Sequence, residues 1–319
     1  MKSLAFNSKP KHVNKKPLIR RVVNCWQLYL FLLIPVVWVI VFSYVPMVGV
    51  QIAFRNYNFR DGIWGSPWVG FAQFTRFFNS FQFWRIVPNT FILSFYSLVA
   101  GFPLPIIFAL CLNALRVKWF KKSVQTITYM PFFISTVVIV GILMRVFDSR
   151  SGLYAGFSVM FTGSTPRDLF GMASAFRHLF VWSSIWQNLG WNSIIYLAAL
   201  SSVSPELHEA AEVDGATRFQ RVLHVDFPAI VPTMAILLIL NSGSIMSVGF
   251  ERVFLMQNNL NLVNSEVIAT YVFKVGIAGS GLTNHSYAAA IGLFNSVINM
   301  TMLVLVNWIS KRVSKNSLW

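Results

Sequence analysis

Six runs of predominantly apolar residues, at 28–50, 89–115, 127–147, 180–203, 230–249 and 286–309, constrain what this chain can fold into. A helix needs about 20 such residues to cross the hydrocarbon core of a bilayer. In lipid the backbone polar groups must be satisfied from within, which favours helices for runs of this length. Composition agrees, since 55% of the residues are hydrophobic, 11% are charged and mean hydropathy is +0.60. A soluble domain of 319 residues would not have this balance. The expected fold class is all-α integral membrane with six transmembrane helices. It comprises a basic segment 1–27, a six-helix domain 28–310 and a short tail 311–319. No short repeat, low-complexity tract or long polar linker divides the chain.

The first apolar run follows a basic leader containing Lys9, Lys11, Lys15, Lys16, Arg20 and Arg21. It exceeds the roughly 7–15 residues of a secretory signal core, and no small-residue cleavage site follows it. A retained helix is expected. Positive residues near span ends stay on the cytoplasmic side. With the N-terminus inside, the inner segments hold ten of the eleven lysines, and both termini are expected to be cytoplasmic. Cys25 and Cys111 then face a reducing compartment, where a structural disulfide is not expected, and two cysteines are too few for a metal cluster. The net charge of +16 is spread over short loops rather than gathered on one basic face. It suits anionic lipid headgroups and argues against nucleic acid.

Residues 51–88 are rich in rings, among them Phe54, Trp64, Trp68, Phe77, Phe83 and Trp84. These suit a belt at the headgroup level or, alternatively, a platform on which sugars stack. Pro103 and Pro105 lie inside the second span and are expected to kink or open it.

The segment 204–228 differs in kind, because Glu206, Glu209, Glu212, Asp214 and Asp226 make up half of the chain's ten acids. Ser204 is placed to cap a helix, with Pro205 at its first position and Glu206 near the positive end of its dipole. Gly215 suits the left-handed conformation that often ends a helix. Thr217 and Gln220 form a T-x-x-Q capping box for a second helix, and Pro228 either closes that helix or leads into the fifth span. Phe219, Val222 and Leu223 make an apolar face, Ala210 and Ala211 admit close approach, and Glu209 can accept a bidentate contact from an arginine. Residues alone leave open whether this loop packs on its own helices or receives a partner.

Glu209-Ala210-Ala211, Gly215, Val225, Phe227 and Pro228 resemble, at every spacing, the signature cytoplasmic loop of ABC importer permeases. Val225 and Phe227 stand where that pattern has Ile and Leu. The resemblance implies that 204–228 is a coupling helix seated in a groove of a separate ATPase. Glu209 would pair with a basic residue there, Gly215 would make the turn, and Asp214 and Phe219 would join the contact. The chain has no G-x-x-x-x-G-K-[ST] phosphate loop. By resemblance, ATP and Mg are bound by partner subunits and this chain holds no cofactor. Trp68-Val69-Gly70-Phe71, Asn89-Thr90, Ser247-Val248-Gly249-Phe250-Glu251 and 265–272 are similar to the branch importing oligosaccharides and polysaccharides, and within it to alginate importer permeases. The partners so implied are a second homologous permease, two ATPase subunits and an extracytoplasmic substrate-binding protein. The setting implied is a bacterial inner membrane.

Uncharged polar residues occur at mid-membrane depth: Gln187, Asn188 and Asn192 in the fourth run, Asn241 in the fifth, and Asn295 and Asn299 in the sixth. With Trp182, Trp186 and Tyr196 they could line a sugar pathway, the amides bonding hydroxyls and the rings offering flat faces. Equally, amides bridge packed membrane helices. An ion-coupled transporter would place Asp, Glu or His within its spans, and an enzyme acting on lipid-linked sugars would cluster them on one side. The only acid cluster here is 204–228, and no catalytic or metal-binding residue is expected.

Overall fold

The computed structural model describes residues 26–279 and 284–314. The basic leader, Cys25 and the tail beyond 314 lie outside the described residues. The regular secondary structure of the described residues is helical apart from one isolated antiparallel bridge, Arg55 to Trp68. They divide into two compact units, one ending at Gln51 and the other running from Ile52.

The first unit is built on α1, Trp26–Val39, which continues through a π-helical turn, Ile40–Tyr44. Its residues are almost all exposed and apolar. That is the pattern of a helix whose solvent is lipid rather than water.

In the second unit, α2 (Ala72–Phe78) precedes α3 (Phe81–Gly101) and α4 (Pro103–Ala114). Ser80 caps α3 by accepting a hydrogen bond from the Phe83 N–H. The expected opening falls at Phe102, and Pro103 begins the second half. The run 127–147 is not one straight helix. It lies in α5 (Lys118–Tyr129), a 3-10 turn at Met130–Phe133, and α6 (Thr136–Val146), with a bend of 101° between the two parts. Pro131 opens the 3-10 turn, Ile134 is extended, and the Ser135 side chain caps α6. A fresh cap directly after a proline restarts the helix in a new direction. After α7 (Leu153–Thr162) comes α8, Ala173–Ser201, of 29 residues.

The loop 204–228 contains α9 (Pro205–Val213) and α10 (Arg218–Arg221), and leads through a π turn into α11 (Phe227–Ser242). The remaining helices are α12 (Phe250–Met256), α13 (Leu262–Ser265), α14 (Ile268–Gly276) and α15 (His285–Ser314). Among the described residues, four helices could cross a membrane by length and apolarity, or five if the bent pair counts as one. The long α8 is not among them, because Arg177, His178, Ser183, Ser184, Gln187, Asn188, Asn192 and Ser193 interrupt its apolar face.

That helix is nevertheless the hub, packing against α3, α4, α5, α11, α12 and α13. Gly190 lets it approach closely, since a Cβ there would lie 2.3 Å from the Thr128 carbonyl oxygen. One core joins Leu93, Phe176, Phe180, Val181, Val253 and Met256 around α8; a second joins Phe77, Ile86, Ile268, Tyr287 and Ile291. Rings from 51–88 thus part company. Phe77 is fully buried against Phe83 and Phe294, whereas Phe59, Trp64, Phe71, Phe81 and Trp84 are exposed.

Polar clasps close the second unit. Asn89 donates to the Val263 and Glu266 carbonyls at 2.7 and 3.2 Å, and accepts from Arg177 at 2.9 Å. Thr90 Oγ1 accepts from the Ile268 N–H at 2.9 Å, and Arg85 pairs with the nearly buried Glu266 at 2.6 Å. A buried amide fully engaged in this way fixes the register of the helices it joins.

Candidate functional site

Two regions stand out, the acid-rich loop and a polar cleft beside α8. The loop is built as its residues dictate. Ser204 Oγ accepts from the Glu206 N–H, and Pro205 opens α9. Gly215 has φ of 81°, the left-handed conformation. Around it the Ala216 N–H donates to the Ala211 carbonyl at 2.9 Å and the Gly215 N–H to Glu212 at 3.1 Å. This pair of bonds is the Schellman closure that satisfies the last carbonyls of a helix. Thr217 and Gln220 form the expected capping box. Pro228 lies in the first turn of α11 rather than closing α10.

The loop is fastened from behind. Arg221 pairs with Glu212 at 2.7 Å, tying α10 to α9. Asp226, 2% exposed, meets His208 Nε2 at 3.3 Å and accepts from Asn113 Nδ2 of α4 at 3.2 Å. Its outer side is different. Glu209, Ala210, Asp214 and Gly215 are exposed, Ala211 is half-buried, and Leu207, Val213, Phe219 and Leu223 present apolar surface, Phe219 at 75% exposure. Several large apolar side chains exposed among acids on one short loop mark a candidate interaction surface.

The cleft comprises three adjoining cavities. The first, about 290 Å³, is lined by Asn188, Asn192, Asn241, Ser97, Ser184 and Ser244 among others. A second, about 590 Å³, shares Ser184 and Asn188 and adds Gln187, Glu251 and Arg252. The third, about 260 Å³, shares Asn192 and Asn241 and adds Tyr196 and Trp191. Carbonyl, amide and hydroxyl groups over a partly apolar wall can exchange hydrogen bonds with a polyhydroxylated solute. Among the residues lining the three cavities, Glu251 and Arg252 are the charged ones.

Five predicted pathway residues, Gln187, Asn188, Asn192, Tyr196 and Asn241, therefore meet along one cleft. The others do not line it. Trp182 and Trp186 share the opposite face of α8, because residues two apart on a helix are turned by about 200°. Both are 52% exposed, and Trp182 Nε1 donates to Tyr96. Asn299 accepts from the Met246 N–H at 2.8 Å and donates to Ser247 Oγ at 3.0 Å, which makes it a bridge between α15 and the turn 243–249. Asn295 Oδ1 is buried with no hydrogen-bond partner. Gln187 does both jobs, donating to the Ile134 carbonyl at 2.9 Å while lining the second cavity. Missed in the sequence were Arg252 and the set Asp226, His208 and Asn113. Asn113 and Asp226 are 113 residues apart, and no local pattern links them.

A helical membrane scaffold, a fastened helix–turn–helix with an open outer face and a polar cleft rich in amides and hydroxyls define a transport component rather than an enzyme. Residues 101–315 match the model of the binding-protein-dependent transport system inner membrane component, and the chain belongs to that family. It is the permease subunit of an ABC importer, non-catalytic and resident in the membrane. Protein LplB of Bacillus subtilis strain 168 is 39% identical over 292 residues, covering 92% of this chain and 91% of that protein. From the same organism, the polygalacturonan/rhamnogalacturonan transport system permease protein YteP is 36% identical over 309 residues, covering 97% and 95%. Among solved structures, a bacterial ABC transporter involved in the import of the acidic polysaccharide alginate matches with a TM-score of 0.85 and 36% identity, over 94% of this chain and 100% of that one. A bacterial alginate ABC transporter in complex with an alginate pentasaccharide-bound periplasmic protein matches with a TM-score of 0.86 and 35% identity, over 95% and 100%. The ion-coupled and enzymatic alternatives fall with the family.

Proposed function

We propose that this permease admits oligosaccharides or polysaccharides by alternating access, driven through the loop 204–228 by ATP hydrolysis on separate subunits. The observation that carries the reading is the two-sidedness of that loop. Its inner side is pinned to α4 and α11 by Asp226, His208 and Asn113, while Glu209, Val213 and Phe219 on its outer side stay open. A rigid piece fastened to the spans and open to a partner transmits displacement, whereas a floppy one would absorb it.

In this reading α8 and the bent pair complete six crossings with α1, α3–α4, α11 and α15, and both termini are cytoplasmic. The assembly is this chain, a homologous permease, two ATPases that hold ATP and Mg, and an external binding protein. The chain itself holds no cofactor, metal or nucleic acid. Asn188, Asn192 and Asn241 face the solute. The relatives named for polygalacturonan, rhamnogalacturonan and alginate support a saccharide as cargo.

The test is coupling in the purified, assembled importer. Glu209→Lys and Gly215→Pro are expected to lower substrate-stimulated ATP hydrolysis at least several-fold with assembly intact. Glu209→Lys reverses the charge offered to a partner, and proline cannot adopt the φ that Gly215 holds. Unchanged stimulation in both variants of an intact complex would sink the coupling role.

A further inference from the structure

The second cavity contains a buried cation that forms no ion pair among the described residues. Arg252 is 6% exposed, and its guanidinium donates to Ser183 Oγ at 3.0 Å and to Gln187 Oε1, both neutral. Among the described residues no carboxylate lies within ion-pair distance of it. Glu251 is exposed and lines the same cavity without pairing to it. Two neutral acceptors serve a group that has five donors in a planar fork. A buried unpaired cation is costly and is retained where something else supplies the opposite charge. Arginine is also the side chain whose fork fits a carboxylate bidentately.

We infer that Arg252 is an anion subsite in the transport cleft, receiving the carboxylate of a uronic-acid residue in the passing saccharide. The inference rests on the saccharide reading above and narrows it to acidic sugars. The neighbouring groups suit the rest of such a sugar. Ser184 and Asn188 offer hydroxyl and amide partners on the shared wall, and Phe132, stacked on Trp191 at 4.2 Å, bounds the cavity with an apolar face. Gln187 holds the guanidinium toward the cavity and is a positioning residue, since its own amide nitrogen is committed to the Ile134 carbonyl.

The experiment uses the permease assembled with its partner permease and ATPases, purified without the binding protein. Affinity is measured by calorimetry at low salt for a galacturonate trisaccharide and for its carboxyl-reduced, neutral counterpart. Wild type is expected to prefer the acidic sugar by about ten-fold, the worth of one charge-assisted contact. Arg252→Gln abolishes that preference while retaining the neutral sugar, Arg252→Lys keeps part of it, and Glu251→Gln preserves or widens it. If Arg252→Gln fails to assemble, Gln187→Glu decides, because it supplies the missing countercharge from a side chain of nearly the same size and must erase the preference. Equal wild-type affinity for the two sugars, or a preference that survives either Arg252→Gln or Gln187→Glu, overturns the inference. Binding of neither sugar overturns the saccharide reading itself, an outcome distinct from loss of preference alone.

Discussion

Amides of one chemical type perform different work in this permease, and their neighbours decide which. Asn192 and Asn241 are exposed to the cleft, whereas Asn299 is engaged on both of its ends. Asn192→Leu is therefore expected to slow uptake into proteoliposomes several-fold while ATP hydrolysis persists. Asn299→Leu should instead lower the thermal midpoint of the purified complex, because the Met246 N–H loses its acceptor at a cost of about 1–3 kcal/mol. The reverse pattern, with Asn192 governing stability and Asn299 governing uptake, would exchange the two assignments. Sequence showed that these amides lie at mid-depth but not which of them is already satisfied. That depends on partners 53 residues away, such as Met246 for Asn299.

At the level of elements, features settled locally are legible in the sequence and long-range ones are not. The cap at Ser204, the turn at Gly215 and the box at Thr217–Gln220 were legible because each is settled within a few residues. The bend after Pro131 was not, since the apolar run continues through it and hydropathy is blind to direction. Nor was the meeting of Asn89-Thr90 with 263–268, a contact that spans more than 170 residues. The packing of α8 on α5 gives a test at this scale. Gly190→Ala places a methyl group against the Thr128 backbone, which cannot swing aside as a side-chain tip would. Overpacking of this kind costs about 1–3 kcal/mol, so the complex should melt several degrees lower by differential scanning fluorimetry. An unchanged midpoint would mean that the two helices separate freely.

For the molecule as a whole, function depends on sidedness. If loop 204–228 meets an ATPase and residues 51–88 face the external binding protein, the two must be reached from opposite sides. With Cys25 and Cys111 replaced by serine, a single cysteine at exposed Trp64 should react with a membrane-impermeant maleimide in intact cells. One at exposed Val213 should react only after permeabilisation. Labelling of both from outside would invert or fold back the proposed topology. Six apolar runs made the membrane class evident from sequence, while the cleft was only partly so. The runs are a property of composition, but a cleft exists only where α3, α4, α8 and α11 leave space between them.

The position of α8 bears on how such a permease can change its diet over evolutionary time. One face of this helix carries Asn188 and Asn192 in the cleft, and the same helix packs on six neighbours, with a close glycine contact and two engaged polar side chains among its attachments. A substitution on α8 that widens the passage also disturbs the scaffold, so variation there is penalised twice. Asn241 on α11 and Ser244 in the turn after it line the same space from elements with fewer packing partners. New cargo is therefore acquired most readily from those walls, while α8 remains the conservative member of the lining.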